Sequence, residues 1–375
     1  MQICFSGAIF ACRMERLIVD MTRKIFSLAF LAVLTVTSLR GQDIHFSQFY
    51  MSPLNLNPAL TGVMNCNQRV VANYRNQWAS ILKSNAFNTY SVSYDQKIPV
   101  GQFDYFGVGG TVWGDVAGSA NFKTLQARLS GSYSRKMAGG RKQAHYLVVG
   151  ADAGFSQRSI DQLLLQFGNQ HDGAGDFDPS LPSGENISRD NFLYADVSAG
   201  LLWFSVLDEN TNFFAGFAAH HLNAPNVSFF EGPTVTIFTR YTAHAGGEFA
   251  LTDNIGLVPG IVAFKQGPSF LLNLGTSFRF NLAQSNQTTN SFQLGLWTRL
   301  VSNYFLSANP NDSKLGADAI IASARFQYEN FNFGFSYDVN VSPLKAASNG
   351  NGAFEFSLTY TICGSENRGV YCPDF

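Results

Sequence analysis

Alternation of apolar and polar residues, repeated along most of the chain, is the feature that limits what this sequence can become. In Phe331–Val339 every odd position is aromatic or aliphatic and every even one is small or polar. Phe354, Phe356, Leu358, Tyr360 and Ile362 alternate with Glu355, Ser357, Thr359 and Thr361. Leu193, Ala195, Val197, Ala199, Leu201 and Trp203 oppose Tyr194, Asp196, Ser198 and Gly200. A β-strand points successive side chains to opposite faces, so each segment has one greasy face and one wet face. Fourteen segments carry the pattern, at 68–78, 88–96, 105–115, 120–134, 143–157, 191–205, 211–221, 238–251, 254–265, 268–280, 291–299, 318–328, 331–339 and 352–362.

A secreted sandwich with one buried face shares that alternation, and three features favour a membrane barrel instead. The segments run to about 9–13 residues, against a usual 5 or 6, and a tilted membrane strand needs 9–11. Aromatic residues stand near strand ends (Tyr90, Trp113, Trp203, Trp297, Tyr328), where interface girdles would lie. The wet faces carry Arg128, Asp196, Glu248, Arg279, Arg325 and Glu355, which a sandwich core could not hold unpaired. The expectation is an all-β, transmembrane, antiparallel outer-membrane β-barrel of about 14 strands over residues 68–362. An irregular segment, 42–67, precedes it and a tail, 363–375, follows. The long connections, 158–190, 222–237, 300–317 and 340–351, all follow odd-numbered strands, as a barrel starting in the periplasm requires.

Composition agrees. Charged residues make up 14% and the formal net charge is −1, so the basic stripe of a nucleic-acid binder is missing. Aromatic residues are another 14%, which excludes disorder. Mean hydropathy is −0.01, too polar for a bundle of membrane helices. The one long apolar run, Ile25–Leu39, follows Arg23-Lys24 and precedes Arg40-Gly41, which reads as a secretory signal peptide over residues 1–41, with Met14 or Met21 as alternative starts.

Residues 42–62 have no period, and Pro53 and Pro58 preclude a regular helix or central strand there. Phe46, Phe49, Tyr50, Leu54 and Leu56 would be sticky in water, so the segment is expected to pack into the barrel mouth or against a partner. Here the chain resembles the PorP/SprF proteins of the type IX secretion system of Bacteroidetes. The resemblance rests on His45-Phe46-Ser47-Gln48-Phe49 and Asn55-Leu56-Asn57-Pro58-Ala59-Leu60-Thr61-Gly62. It continues through Tyr74-Arg75-Asn76-Gln77-Trp78, Ser93-Tyr94-Asp95, Gly216-Phe217-Ala218, His221-Leu222-Asn223, Arg240-Tyr241 and the last strands. It implies an outer-membrane component needed for secretion or surface attachment of proteins, including gliding adhesins. The implied partners are outer-membrane lipid, other secretion components on the periplasmic side and a secreted or surface-attached cargo protein, with no nucleic acid. The candidate partner- or plug-contacting residues are His45, Phe46, Ser47, Gln48, Phe49, Asn57, Pro58, Ala59, Gly62, Arg75 and Trp78.

Enzymatic signatures are weak. His171 lies with Asp172, Asp176 and Asp178 in the longest connection, but no Gly-x-Ser-x-Gly elbow accompanies them. The stretch 172–178 lacks the ligand spacing of a calcium loop. His220 and His221 are adjacent on a strand, so they should face opposite ways and share no ion. Gly107-Val108-Gly109-Gly110 is followed by no helix, so the glycines are expected to relieve crowding inside the barrel or ease its curvature. The sequence therefore points to no catalytic site, cofactor or metal. The competing function is a channel for hydrophobic solutes of the fatty-acid-transporter type.

Overall fold

Hydrocarbon offers no hydrogen-bond partner to an open sheet edge, so a strand-built membrane protein has to close on itself. The computed structural model describes residues 43–375 apart from 141–142, 172–175, 186, 209–210, 233, 285–288, 304–313, 365–371 and 374–375. The signal-peptide expectation lies outside the described residues. The first half of the sheet comprises β1 (Gln68–Gln77), β2 (Phe87–Val100), β3 (Asp104–Ala117), β4 (Phe122–Gly139), β5 (Ala144–Ser159), β6 (Asn191–Asp208) and β7 (Thr211–His220). The second half comprises β8 (Arg240–Thr252), β9 (Ile255–Gln266), β10 (Ser269–Gln284), β11 (Thr289–Asn303), β12 (Lys314–Tyr328), β13 (Phe331–Asn340) and β14 (Asn351–Ile362). Every strand pairs antiparallel with its sequence neighbours, and β1 closes on β14 from Gln68↔Ile362 to Gln77↔Ala353.

All fourteen alternating segments are strands, several longer than their pattern, since strand ends extend past the apolar belt. Connections after even strands span two to four residues. Those after β5, β7, β11 and β13 are long, 160–190, 221–239, 304–313 and 341–350. Bacterial barrels put short turns in the periplasm, which makes the long-loop end the outer one. On that side the loops 160–190 and 221–239 meet, with Arg189 N–H donating to the Phe229 carbonyl at 3.1 Å.

The faces fall as the pattern requires. Phe331, Phe333, Phe335, Phe356 and Leu358 are exposed on the outer wall, and Asp338, Glu355 and Thr359 are buried inside. Two aromatic residues depart from the expected girdle. Trp113 and Trp297, only 8% and 4% exposed, point into the lumen, while Tyr90, Trp203 and Tyr328 remain on the outside. The indole N–H of Trp113 donates to Gln126 and that of Trp297 to Ser323, partners that lipid could not supply.

The lumen wall is not uniformly polar. On β5 and β6 toward the short-turn end, Tyr146, Val148, Leu202, Phe204 and Val206 are inward-facing and buried. They belong to an apolar cluster that takes in Leu56, Ala59, Leu60 and Val63 of the preceding segment. Cys66, just before β1, and Cys363, just after β14, form a disulfide across the closure seam.

Leu358→Arg, on the lipid face in mid-strand, is expected to cost roughly 2–4 kcal/mol, and Leu358→Met close to nothing, read by urea titration of protein folded into vesicles. Replacing both Cys66 and Cys363 by Ser removes a cross-link 297 residues long in sequence. Loop-closure entropy sets an upper bound on the order of 5 kcal/mol for that loss. The expected outcome is a lower urea midpoint with unchanged strand content by circular dichroism.

Candidate functional site

The chain from Ile44 to Met64 runs down the lumen from the outer end to the short-turn end. Arg240, the first residue of β8, donates from Nη1 to the Ile44 carbonyl at 3.0 Å. Arg75, near the outer end of β1, donates to the His45 carbonyl at 2.8 Å. Midway down, the Met51 carbonyl accepts from Asn73 Nδ2 at 2.9 Å. At the far end the Leu60 carbonyl accepts from Arg69 (3.1 Å) and that of Met64 from Lys97 Nζ (2.7 Å). Short turns at Phe49–Met51, Pro53–Leu56 and Pro58–Leu60 compact the descent. Both prolines sit at the first position of their turn, where the missing N–H is no loss. They therefore start brief helical turns while excluding a long helix.

Three groups of buried charge hold this segment. Near the outer end, Glu355 on β14 accepts the backbone N–H groups of Ser47 at 2.6 Å and Gln48 at 2.9 Å. Arg75 pairs with the same carboxylate at 3.2 Å and lies 3.7 Å from Asp338 on β13. Arg299 on β11 pairs with Asp338 at 2.8 Å and Asp318 at 2.7 Å, and it also donates to Ser47 Oγ at 3.0 Å. Toward the short-turn end, Asp95 on β2 pairs with Arg69 at 2.8 Å and accepts the Gly62 N–H at 2.8 Å. Between them Arg128 pairs with Asp152 at 3.2 Å and donates to Asn55 Oδ1 at 3.1 Å. An isolated charge in such a place costs several kcal/mol, so these groups persist because each meets its counter-charge or a segment amide.

Shape does the rest. Asn57 caps its own turn, its Oδ1 accepting Ala59 N–H at 2.9 Å while Nδ2 donates to the Leu201 carbonyl at 3.0 Å. Its amide also lies 3.1 Å from His244 Nε2. Phe49 meets Trp297 edge-on with ring centroids 5.6 Å apart. Glycines in the wall make room. A Cβ on Gly150 would sit 2.5 Å from Ala59 Cα, and one on Gly334 2.5 Å from Gln48 Oε1. Gly107 and Gly200 leave no space for a side chain beside Thr61 and Asn57. The crowding relieved at Gly107 is thus that of the lumen segment. Gly62 turns toward β1 at φ +72°, a conformation glycine adopts without strain.

Of the residues singled out from sequence, His45, Phe46, Ser47, Gln48, Phe49, Asn57, Pro58, Ala59, Gly62 and Arg75 come together in the lumen. Trp78 does not join them. It stands in a left-handed conformation (φ +61°) at the outer rim, its ring against Phe87. The partners Arg69, Asn73, Arg240, Arg299 and Asp338 were missed as contacts of the segment, although inward-facing charges of both signs signalled something to neutralise. One expectation is corrected. His220 and His221 are both buried on the inner side, because His221 has left the strand geometry at φ +58°. His220 Nδ1 lies 3.2 Å from Ser198 Oγ and His221 Nδ1 2.9 Å from Asp196 Oδ1, so each is engaged by β6. In the longest loop, Asp178 accepts from the Ser180 hydroxyl and amide, which hold its carboxyl below the usual carboxylate range. Most of the remaining calcium-like stretch, 172–175, lies outside the described residues.

Residues 38–360 match the family described as type IX secretion system membrane protein PorP/SprF. The chain belongs to that family. No curated protein matches it in sequence. Solved structures similar to this PorP/SprF barrel include CdiB from Acinetobacter baumannii, at 8% identity and a TM-score of 0.42, covering 79% of this chain and 60% of that one. The CymD monoaromatic hydrocarbon channel is similar at 12% identity and 0.43, covering 87% and 96%. BamA from Haemophilus ducreyi lacking POTRA domains 1–3 is similar at 9% and 0.38, covering 80% and 71%. The chain spans about 60% of the CdiB structure's length. By its family match and its closed sheet, this PorP/SprF protein is a type IX secretion membrane β-barrel.

Glu355→Gln removes the charge that Arg75 and two segment amides share. Breaking a buried pair in this way costs about 3–5 kcal/mol, and the loss should loosen the segment while the wall stays closed. The reporter is Ser52→Cys, at a buried lumen position, in a Cys372→Ser background. Maleimide labelling in vesicles is expected to be more than tenfold faster with Glu355→Gln than without it.

Proposed function

We propose that this barrel is an anchoring component of the type IX secretion system, holding a secreted or surface-attached protein, such as a gliding adhesin, at the outer face. Its short-turn end contacts periplasmic secretion components. One observation carries the reading: the lumen is occupied by a segment of the same chain, gripped by ion pairs from β1, β2, β11, β13 and β14. A barrel filled this way is poorly suited to passing a polypeptide, which leaves the two end surfaces to do the work. The outer end offers long loops for a cargo, and the short-turn end offers a compact rim. This role is non-catalytic, because the buried charges face one another and the segment.

The test replaces Phe46, Asn57 and Trp78 together (Phe46→Ser, Asn57→Asp, Trp78→Ala) and follows cargo at the cell surface beside heat-modifiable barrel in the outer membrane. Surface cargo is expected to fall at least tenfold per inserted barrel. Affinity capture from native membranes should lose secretion components or a large surface protein in the variant. Unchanged cargo per barrel would overturn the reading. So would uptake of a hydrophobic solute by vesicles holding the wild-type protein without any captured partner, which is the behaviour of a channel.

A further inference from the structure

The inward-facing arginines of this barrel nearly all have a visible task. Arg69, Arg75, Arg128, Arg279 and Arg299 each reach a carboxylate within 3.2 Å. Arg240 holds carbonyls of the lumen segment, and Arg325 donates to Asn332. Arg158 is different. It is the penultimate residue of β5, at the outer end, on the same face as the buried Asp152 and Ser156. Its guanidinium carbon lies 5.5 Å from the centre of the Phe122 ring and 5.9 Å from that of Tyr194. Its Nε is buried without a hydrogen-bond partner, and among the described residues no carboxylate pairs with it. Phe192 and Phe229 extend the aromatic surroundings, with Phe229 centred 6.0 Å from Phe122 and 5.0 Å from Phe192.

We infer that Arg158 and the rings of Phe122 and Tyr194 form a recognition site for the carboxylate of a polypeptide segment arriving at the outer mouth of the barrel. Aromatic rings take up a guanidinium's faces and leave the in-plane N–H groups of its two terminal nitrogens for a ligand. Those donors form a fork that fits a carboxylate with two parallel hydrogen bonds. Fixing the side chain beforehand lowers the ordering cost that a flexible arginine would bear on binding. The same rings give an apolar wall to the side chain next to that carboxylate. The ligand is therefore a chain terminus, or an Asp or Glu, beside an apolar residue. A lipid phosphate carries a similar oxyanion, but it lies on the far side of the wall, where Phe155 and Leu193 face outward. This site rests on the anchoring reading above and gives the cargo side of it a chemical address.

The experiment titrates the purified full-length barrel in detergent with N-acetyl-phenylalanine, N-acetyl-phenylalaninamide and inorganic phosphate, using ligand-observed NMR. The acid is expected to bind at least tenfold tighter than the amide, with the advantage lost in Arg158→Gln and partly kept in Arg158→Lys. Heat-modifiability of each variant establishes that its barrel is folded, and the Lys variant serves if the Gln variant is not. Equal binding of acid and amide, or phosphate binding as tightly as the acid, would overturn the site. In cells, Arg158→Gln should lower surface cargo per inserted barrel. If deleting the whole gene leaves cargo in place, the anchoring reading falls. If deletion strips the cargo and Arg158→Gln does not, the site alone falls.

Discussion

A carboxylate shut away from water needs a cation or several N–H groups close by, and Glu355 has both. Its two oxygens take the Ser47 and Gln48 amides and the Arg75 guanidinium. Much follows from this. The contact ties the first strand, the last strand and the lumen segment to one point. It also gives a polar interior something definite to bind. Without the segment, Glu355 and Asp338 would compete for Arg75 and Arg299 across a wet cavity, where screening weakens every pair. With the segment in place, the dielectric around them falls, and the same charges specify a single arrangement.

The wall was legible from sequence because strand geometry has a period of two and lipid enforces it on one face. The fourteen segments could be counted for that reason, and their ends were blurred because strands outrun the hydrocarbon. Trp113 and Trp297 were misplaced by a rule based on residue type, when parity with Thr111 and Arg299 would have put them inside. The lumen segment was recognisable as irregular and greasy, yet nothing in its own residues said which wall groups would meet it. The stretch Leu201-Leu202-Trp203-Phe204 carried a usable hint. Apolar residues on both faces of a membrane strand mean that the inner face is covered too, and here it is covered by the Ala59–Val63 part of the segment. His221 could not be read at all, since a single residue in left-handed geometry reverses the side that parity assigns.

The two ends of the molecule differ in kind. The short-turn end has a disulfide at the closure seam, tight turns around the ring and an apolar socket on β5 and β6, and Cys372 of the tail docks there beside Lys97 and Tyr105. At the outer end, the 160–190 and 221–239 loops lie against each other around Phe192, Tyr194, Val227 and Ile237. One end is thus pinned by a covalent link, and the other carries the longest connections.

The direction in which the lumen segment runs has a consequence for how the molecule is made. Ile44 lies at the outer end and Met64 at the other, so the chain passes lengthwise through a ring that its own later residues complete. A ring finished first could be filled afterwards only by threading the segment lengthwise along the cavity it leaves. Glu355 resides on the last strand in sequence, and its amide partners lie near the start of the described chain. Until that strand pairs, the outer half of the segment lacks the carboxylate that grips its Ser47 and Gln48 amides. The strand that closes the sheet against β1 is thus also the one that supplies the outer grip on the segment, so the seam and the filling of the lumen share one residue.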